Sequence, residues 1–478
     1  MTLSLLAVAS ELYPLVKTGG LADVVAALPA ALAPFDVTVT TLVPGFPAIC
    51  DALEDATEVA AWHDLPGGPA RVLRGRAAGL ELAVLDAPHL FDRPGNPYLA
   101  PNGTDWPDNG LRFAALGAAA ARLARALGCD ALHAHDWQAG LAPAYLRYAA
   151  EGGRIPSLFT VHNLAFQGRF EADLFPALGL PPQAFAIAGL EFHGGVGFLK
   201  SGLWYADAIS TVSPSYAEEI LSPEGGMGLE GLLRGRLQDL HGIRNGIDIA
   251  EWDPQTDPHL AARFSAADPA PRAANADALR ERFALNPDNA GPLFAFIGRL
   301  TWQKGIDLVL DVLPVLIAAD AQLIVLGQGD STLASVCTAA AAAHPGRVGV
   351  FVGYSEPLAR LVYGGADAVL LPSRFEPCGL VQLIAQRYGA LPVVNRVGGL
   401  ADTVVDANDA ALSLGFGTGI VFAPASAAAL AGAIRRTISL FYDRDAWRTV
   451  QANAMRLDVS WRASAERYAG LFRRLTAR

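Results

Sequence analysis

Short aliphatic runs alternate with longer Ala- and Leu-rich stretches over most of the chain. LSLLAVAS is followed by a glycine turn and LADVVAALPAALAPF, and further strand-length runs appear in VTVTTLVP, LELAVLDAP, CDALHAHD, SLFTVHN and ADAISTVS. Such runs suit strands buried on both faces, and their alternation with helix-length segments predicts parallel sheets with crossover helices. The pattern breaks near HGIRNGIDIAEWDP (241–254), and a stretch rich in Ala, Asp and Pro extends to about residue 290. PLFAFIGRL then opens a second series, continued by AQLIVLGQG, VGVFVGY, AVLLPS and ALPVVNRVGG. The pattern predicts an α/β protein of two doubly wound units joined near residue 245. The last segment, SWRASAERYAGLFRRLTAR, reads as an amphipathic helix offering Trp461, Tyr468 and Phe472 for packing.

Length supports the division, because 478 residues exceed one ordinary core. With 52% hydrophobic and 17% charged residues the chain is globular rather than disordered. A net charge of -11 without any Lys/Arg run excludes nucleic acid and anionic membranes as expected partners, so a phosphorylated substrate needs a local positive pocket. Cys50, Cys129, Cys337 and Cys378 are widely spaced, which indicates neither a zinc site nor a disulfide framework and suits a cytoplasmic protein. MTLSLLAVAS lacks a basic flank and is cut short by Glu11 and Pro14, so it is read as a first strand, not a signal peptide or membrane span.

One short string occurs twice: KTGGLADVV from Lys17 and VGGLADTV from Val397. Each Gly pair, Gly19-Gly20 and Gly398-Gly399, falls between a strand and a helix, where it is either a tight connection or a turn whose N–H groups approach an anion. GRLTWQKG sets Arg299 and Lys304 just after a strand, as a clamp for a diphosphate, with Lys17 expected as a cation from the opposite wall of a cleft. SRFEPCGL offers Glu376 beside a helix start, a pairing that suits a polyhydroxyl ligand. HAHDWQAG and TVHNLAFQG end two strands with His133, His135, Asp136, His162 and Asn163. Their spacing matches no known metal site, so sugar hydroxyls are the expected partners of Asp136, His162 and Asn163. Some of these histidines are equally readable as core groups, His133 above all, placed pointing away from His135.

KTGGLADV, DRPGNPY, HAHDWQAG, TVHNLAFQG, RNGID, GRLTWQKG, GGADAVLLPSRFEPCGL and VGGLADTV together resemble the bacterial glycogen synthases and the related plant starch synthases. The resemblance runs from residue 3 to about 465. It implies a GT-B glycosyltransferase in which two Rossmann-like domains, 1–245 and 246–456, face each other across a cleft, with a C-terminal helix, 457–478, packing back on the first. It also implies retaining transfer of glucose from ADP-glucose to the non-reducing end of an α-1,4-glucan, with no metal or other cofactor. His162, Arg299, Lys304 and Glu376 then match the catalytic set. Lys17, Gly19, Gly20, Asp23, Asp136, Asn163, Asn245, Tyr354, Cys378, Gly379 and Leu380 match substrate-binding positions, Tyr354 near the adenine. Glu11 and Tyr98 match the acceptor side. Gln138 and Trp302 depart from the family's usual residues. A UDP-glucose-dependent enzyme and an inactive glucan-binding protein are the alternatives. Sugar-nucleotide epimerase and glucan phosphorylase fit less well, because no lysine stands in a pyridoxal-phosphate context.

Overall fold

The aliphatic runs become strands where the structure, a computed structural model, describes the chain: residues 2–149 and 153–477. It divides into two compact units, one running to Asn245 and resuming at Trp461, the other Gly246–Ser460.

The first unit holds β1 (Leu3–Val8), β2 (Val37–Pro44), β3 (Glu54–Leu65), β4 (Gly68–Ala77), β5 (Leu80–Asp86), β6 (Ala131–His135) and β7 (Ser157–Val161). The short strands β8 (Arg169–Phe170), β9 (Glu191–Phe192) and β10 (Gly195–Gly197) form a separate small sheet, and β11 (Ala208–Thr211) and β12 (Leu240–Gly242) return to the main one. Its order is β12-β11-β7-β6-β1-β2-β5-β4-β3. Every residue of β6, β7 and β11 is buried, as continuous apolar runs require. The expectation of parallel sheets is corrected in the small sheet, whose strands are antiparallel, and at one edge of the main sheet, where β3 and β4 are antiparallel to their neighbours. The Pro66-Gly67 turn is too short for a crossover, and β3 is exposed along most of its length, so it lacks the continuous apolar run that marked the other strands.

Helix Gly20–Leu32 buries Leu21, Val24, Val25, Leu28 and Leu32, a single stripe at helical spacing. Against it packs helix Arg462–Thr476, so that Trp461, Tyr468 and Phe472 share a core with Leu5, Val24 and Leu28. This helix begins five residues later than expected, and Arg478 lies outside the described residues. Residues 457–460 are instead an extended piece of the second unit: Val459 is buried in that unit's core and its carbonyl accepts the Ile247 N–H at 2.9 Å.

The second unit contains β13 (Leu293–Ile297), β14 (Gln322–Gly327), β15 (Val348–Val352), β16 (Ala368–Leu371), β17 (Leu391–Asn395) and β18 (Ile420–Phe422), all parallel, in the order β15-β14-β13-β16-β17-β18. Period-2 alternation splits each strand between two cores. Phe294 and Phe296 join Leu323 and Leu370 on one face, while Leu293 and Ala295 join Ile324 and Val369 on the other. Residues 246–290, read from sequence as a break in the pattern, are tied into this unit. Buried Arg360 bonds Glu251 and Asp257, and buried Arg272, on helix Arg272–Arg282, donates to the Tyr388 carbonyl at 3.0 Å.

Candidate active site

Each main sheet has one place where successive crossovers leave in opposite directions, and loops at the carboxyl ends of the strands there diverge to leave a crevice. In the first sheet it lies between β1 and β6, in the second between β13 and β16. Most of the residues singled out by sequence stand at these ends.

In the first unit, Glu11 follows β1 and is buried. Its carboxylate accepts the Thr18 N–H at 2.6 Å, the Thr18 hydroxyl at 2.5 Å, the Gly19 N–H at 3.3 Å and the Tyr98 hydroxyl at 2.6 Å. Burial and the Glu11 charge push the Tyr98 phenol well above its ordinary pKa, so it stays a donor. Glu11 and Tyr98 thus brace the loop that precedes helix Gly20–Leu32. Gly19 and Gly20 are exposed on it. Lys17 pairs with Asp23 at 2.7 Å and lies 4.9 Å from the Tyr13 ring centroid. A cavity of about 390 Å³ beside the loop has Lys17, Thr18, Arg93 and Arg112 on its walls.

Beyond β6, Asp136 adopts a left-handed backbone (φ 55°), a conformation Asp tolerates better than most residues. Its carboxylate accepts the His162 N–H at 2.6 Å and a hydrogen bond from the Asn163 backbone. Burial nevertheless raises its pKa to about 7. His162 follows β7, and its Nε2 lies 3.0 Å from His135 Nδ1. Burial lowers His162 and His133 to about 3, and His135 well below the ordinary range. The reading that His133 points away from His135 is wrong. Residues two apart on a strand share a face, and the two rings are 4.0 Å apart between centroids. Asn163 accepts the Ala165 N–H, and Asn245 is buried with Oδ1 lacking a partner.

In the second unit, β13 leads to Arg299 and Lys304, and β16 to Glu376. Lys304 Nζ donates to Glu376 Oε2 at 2.5 Å, and the Ser373 hydroxyl donates to the same oxygen at 3.0 Å. Arg299 donates to Gln303 Oε1 at 3.3 Å. The two loops are laced together: Arg374 donates its N–H to the Gln303 carbonyl at 2.8 Å and its guanidinium to Asp307 at 2.6 and 2.9 Å. That guanidinium lies 4.4 Å from the ring centroid of Trp302, a residue that is 62% exposed. Cys378 is buried, Gly379 takes φ 73°, and Leu380 caps helix Val381–Arg387. Tyr354, after β15, is exposed and donates to Glu356 at 3.2 Å.

The second Gly pair differs from the first. A Cβ on Gly398 would stand 2.1 Å from the Glu376 carbonyl, and one on Gly399 2.1 Å from that of Cys378. The Gly399 N–H already donates to the Glu376 carbonyl at 3.1 Å. This pair lets the Glu376 loop pack directly on a helix start, whereas nothing lies within 4 Å of a Cβ built on Gly19. Of the two readings open for each pair, Gly398-Gly399 takes the tight connection.

Residues 4–235 match the family described as starch synthase catalytic domain, and 277–449 that of glycosyl transferases group 1. The chain is 57% identical to a glycogen synthase of Acidiphilium cryptum over 477 residues, 99% of both chains, and 55% identical to one from Rhodopseudomonas palustris over 480 residues, 100% of this chain and 99% of the other. The chain belongs to the glycogen synthase family. Its fold matches the catalytic domain of starch synthase IV from Arabidopsis thaliana, bound to ADP and acarbose, with a TM-score of 0.91 at 30% identity over the full length of both. Glycogen synthases are hexosyltransferases of GT-B fold, and so is this chain.

Thr18, Gln303 and Ser373 escaped the sequence reading, though each stands within three positions of a singled-out residue and bonds the same loop. A polar side chain beside a functional charge was the available signal. Among the described residues, no group of three or more His, Cys, Asp or Glu is placed to hold a metal, and no helix is long and apolar enough to cross a membrane.

Proposed function

We propose that the chain transfers the glucosyl group of ADP-glucose to the non-reducing end of an α-1,4-glucan with retention of configuration, releasing ADP. The observation that carries this is the cluster at the β13/β16 ends, where two cations and a carboxylate stand on two mutually bonded loops. Cleavage of the anomeric C–O bond builds negative charge on the diphosphate and positive charge on the sugar. Arg299 and Lys304 neutralise the former, a task that needs no divalent ion. Glu376 accepts hydrogen bonds from glucosyl hydroxyls, helped by the backbone of Cys378, Gly379 and Leu380. Lys17, steadied by Asp23, and the exposed Gly19-Gly20 turn serve the donor's phosphates. Asp136, His162 and Asn163 serve the sugar, Tyr354 the adenine, and Asn245 donor binding. Glu11 and Tyr98 hold the loop on the acceptor side.

The ADP and acarbose held by the Arabidopsis relative support an adenine donor and a glucan acceptor. None of the four cysteines is joined in a disulfide, which suits the cytoplasm.

Initial rates of nucleoside-diphosphate release with a glycogen primer test the reading. ADP-glucose is expected to exceed UDP-glucose in kcat/KM by more than about tenfold, and Glu376→Gln to lower transfer by about 10²-fold, the scale of one lost transition-state contact. A preference for UDP-glucose sinks the donor assignment. Glycogen binding without release of either diphosphate sinks the enzyme reading.

A further inference from the structure

Strands β6 and β7 are parallel neighbours with His135 opposite Thr160, so His162, two residues farther on, meets the edge of the His135 ring. The contact is His135 Nδ1 to His162 Nε2 at 3.0 Å, with both rings buried. On its other side the His135 ring faces His133, whose Nε2 is 2.7 Å from the Thr160 hydroxyl. His135 Nε2 is fully enclosed and has no hydrogen-bond partner.

Burial keeps both rings neutral, so each carries one N–H and one bare nitrogen, and a single proton lies between them. If His162 supplied it, the proton of His135 would sit on Nε2, an enclosed N–H with no acceptor. If His135 supplies it, only a lone pair is left enclosed, and orphaned N–H groups are the rarer of the two in folded proteins.

We infer that His135 is a positioning residue that fixes His162 in the tautomer protonated on Nδ1, so that His162 offers the substrate an N–H donor and does not act as a base. The identity of that substrate rests on the function proposed above. A neutral donor can hold a sugar oxygen without adding positive charge beside a carbon that becomes positive in the transition state. It also stays in one protonation state over the working pH range, which an exposed histidine does not.

Long-range 1H–15N correlation spectra of the full chain with 15N-labelled histidine rings test this, with the His162 signals assigned by their loss in His162→Gln. The expected spectrum of the unsubstituted protein has a protonated Nδ1 and a bare Nε2 at His162. A protonated Nε2, an imidazolium or an even mixture overturns the inference. His135→Asn keeps a donor near the Nδ1 position and is expected to preserve both tautomer and rate. His135→Leu is expected to lose the tautomer preference and at least about tenfold in kcat, with little change in donor KM, as when an imidazole loses the group that orients it. Unchanged tautomer and kcat in His135→Leu also overturn it. The spectrum involves no donor, so failure of the ADP-glucose assignment in the release assay leaves this result standing, and the reverse holds too.

Discussion

At the scale of single residues, Asp136, His133, His135 and His162 in the first unit are held toward their neutral forms by burial, and they pull stability in opposite directions with pH. Asp136 keeps its proton up to about 7 in the folded chain against an ordinary value of 3.8. Its contribution is therefore full below 3.8 and fades as pH rises to about 7. His133, His135 and His162 refuse a proton, so their contribution is full above the ordinary 6.5 and is lost on acidification. Three groups against one leave a net loss as pH falls from about 6.5, at about 1.4 kcal/mol per pH unit for each unbalanced proton. The melting temperature is expected to drop steadily between about pH 6.5 and 4.5, and more steeply in Asp136→Asn, which removes the opposing member. Thermal melts across that range check the sign, and a rise on acidification contradicts it.

Among the elements, the two Gly-Gly-Leu-Ala-Asp strings show how far letters alone reach. They are identical, both lie between a strand and a helix, and only the packing separates them: the first is open to solvent, the second is pressed against the Glu376–Cys378 backbone. Gly399→Ala is expected to cost about 3 kcal/mol, since its Cβ meets backbone that cannot swing aside. Gly19→Ala is expected to stay within about 0.5 kcal/mol of the parent. Chemical denaturation of the two variants distinguishes them, and equal losses would contradict the assignment. Fully buried strands were legible because both of their faces demand apolar residues, and the charged residues of the candidate site stood out because they follow such strands. The β3–β4 ribbon was not, being half solvated. Nor was the Lys304–Glu376 pair, whose partners are 72 positions apart and meet only because β16 inserts beside β13.

For the whole molecule, the decisive feature is that the first unit is built from both ends of the chain. Trp461, Tyr468, Phe472 and Leu475 complete its core, the Ser464 hydroxyl reaches the Arg244 carbonyl, and Arg473 donates to the Phe35 carbonyl at 2.6 Å. Burying four such side chains contributes about 6–12 kcal/mol, comparable to the entire stability of an ordinary domain. A chain ending at Ser460 is accordingly expected to lose the cooperative unfolding transition of the first unit in calorimetry. A truncated protein melting within about 3 °C of the parent would show that the helix is dispensable. The same arrangement bears on biosynthesis. As the polypeptide leaves the ribosome, the N-terminal portion must wait for its final piece until all of Gly246–Ser460 has been translated, about 10–40 s at bacterial elongation rates of about 5–20 residues per second. Throughout that interval Leu5, Val24 and Leu28 lack the aromatic partners that cover them in the finished fold, so exposed apolar surface is expected on the nascent chain.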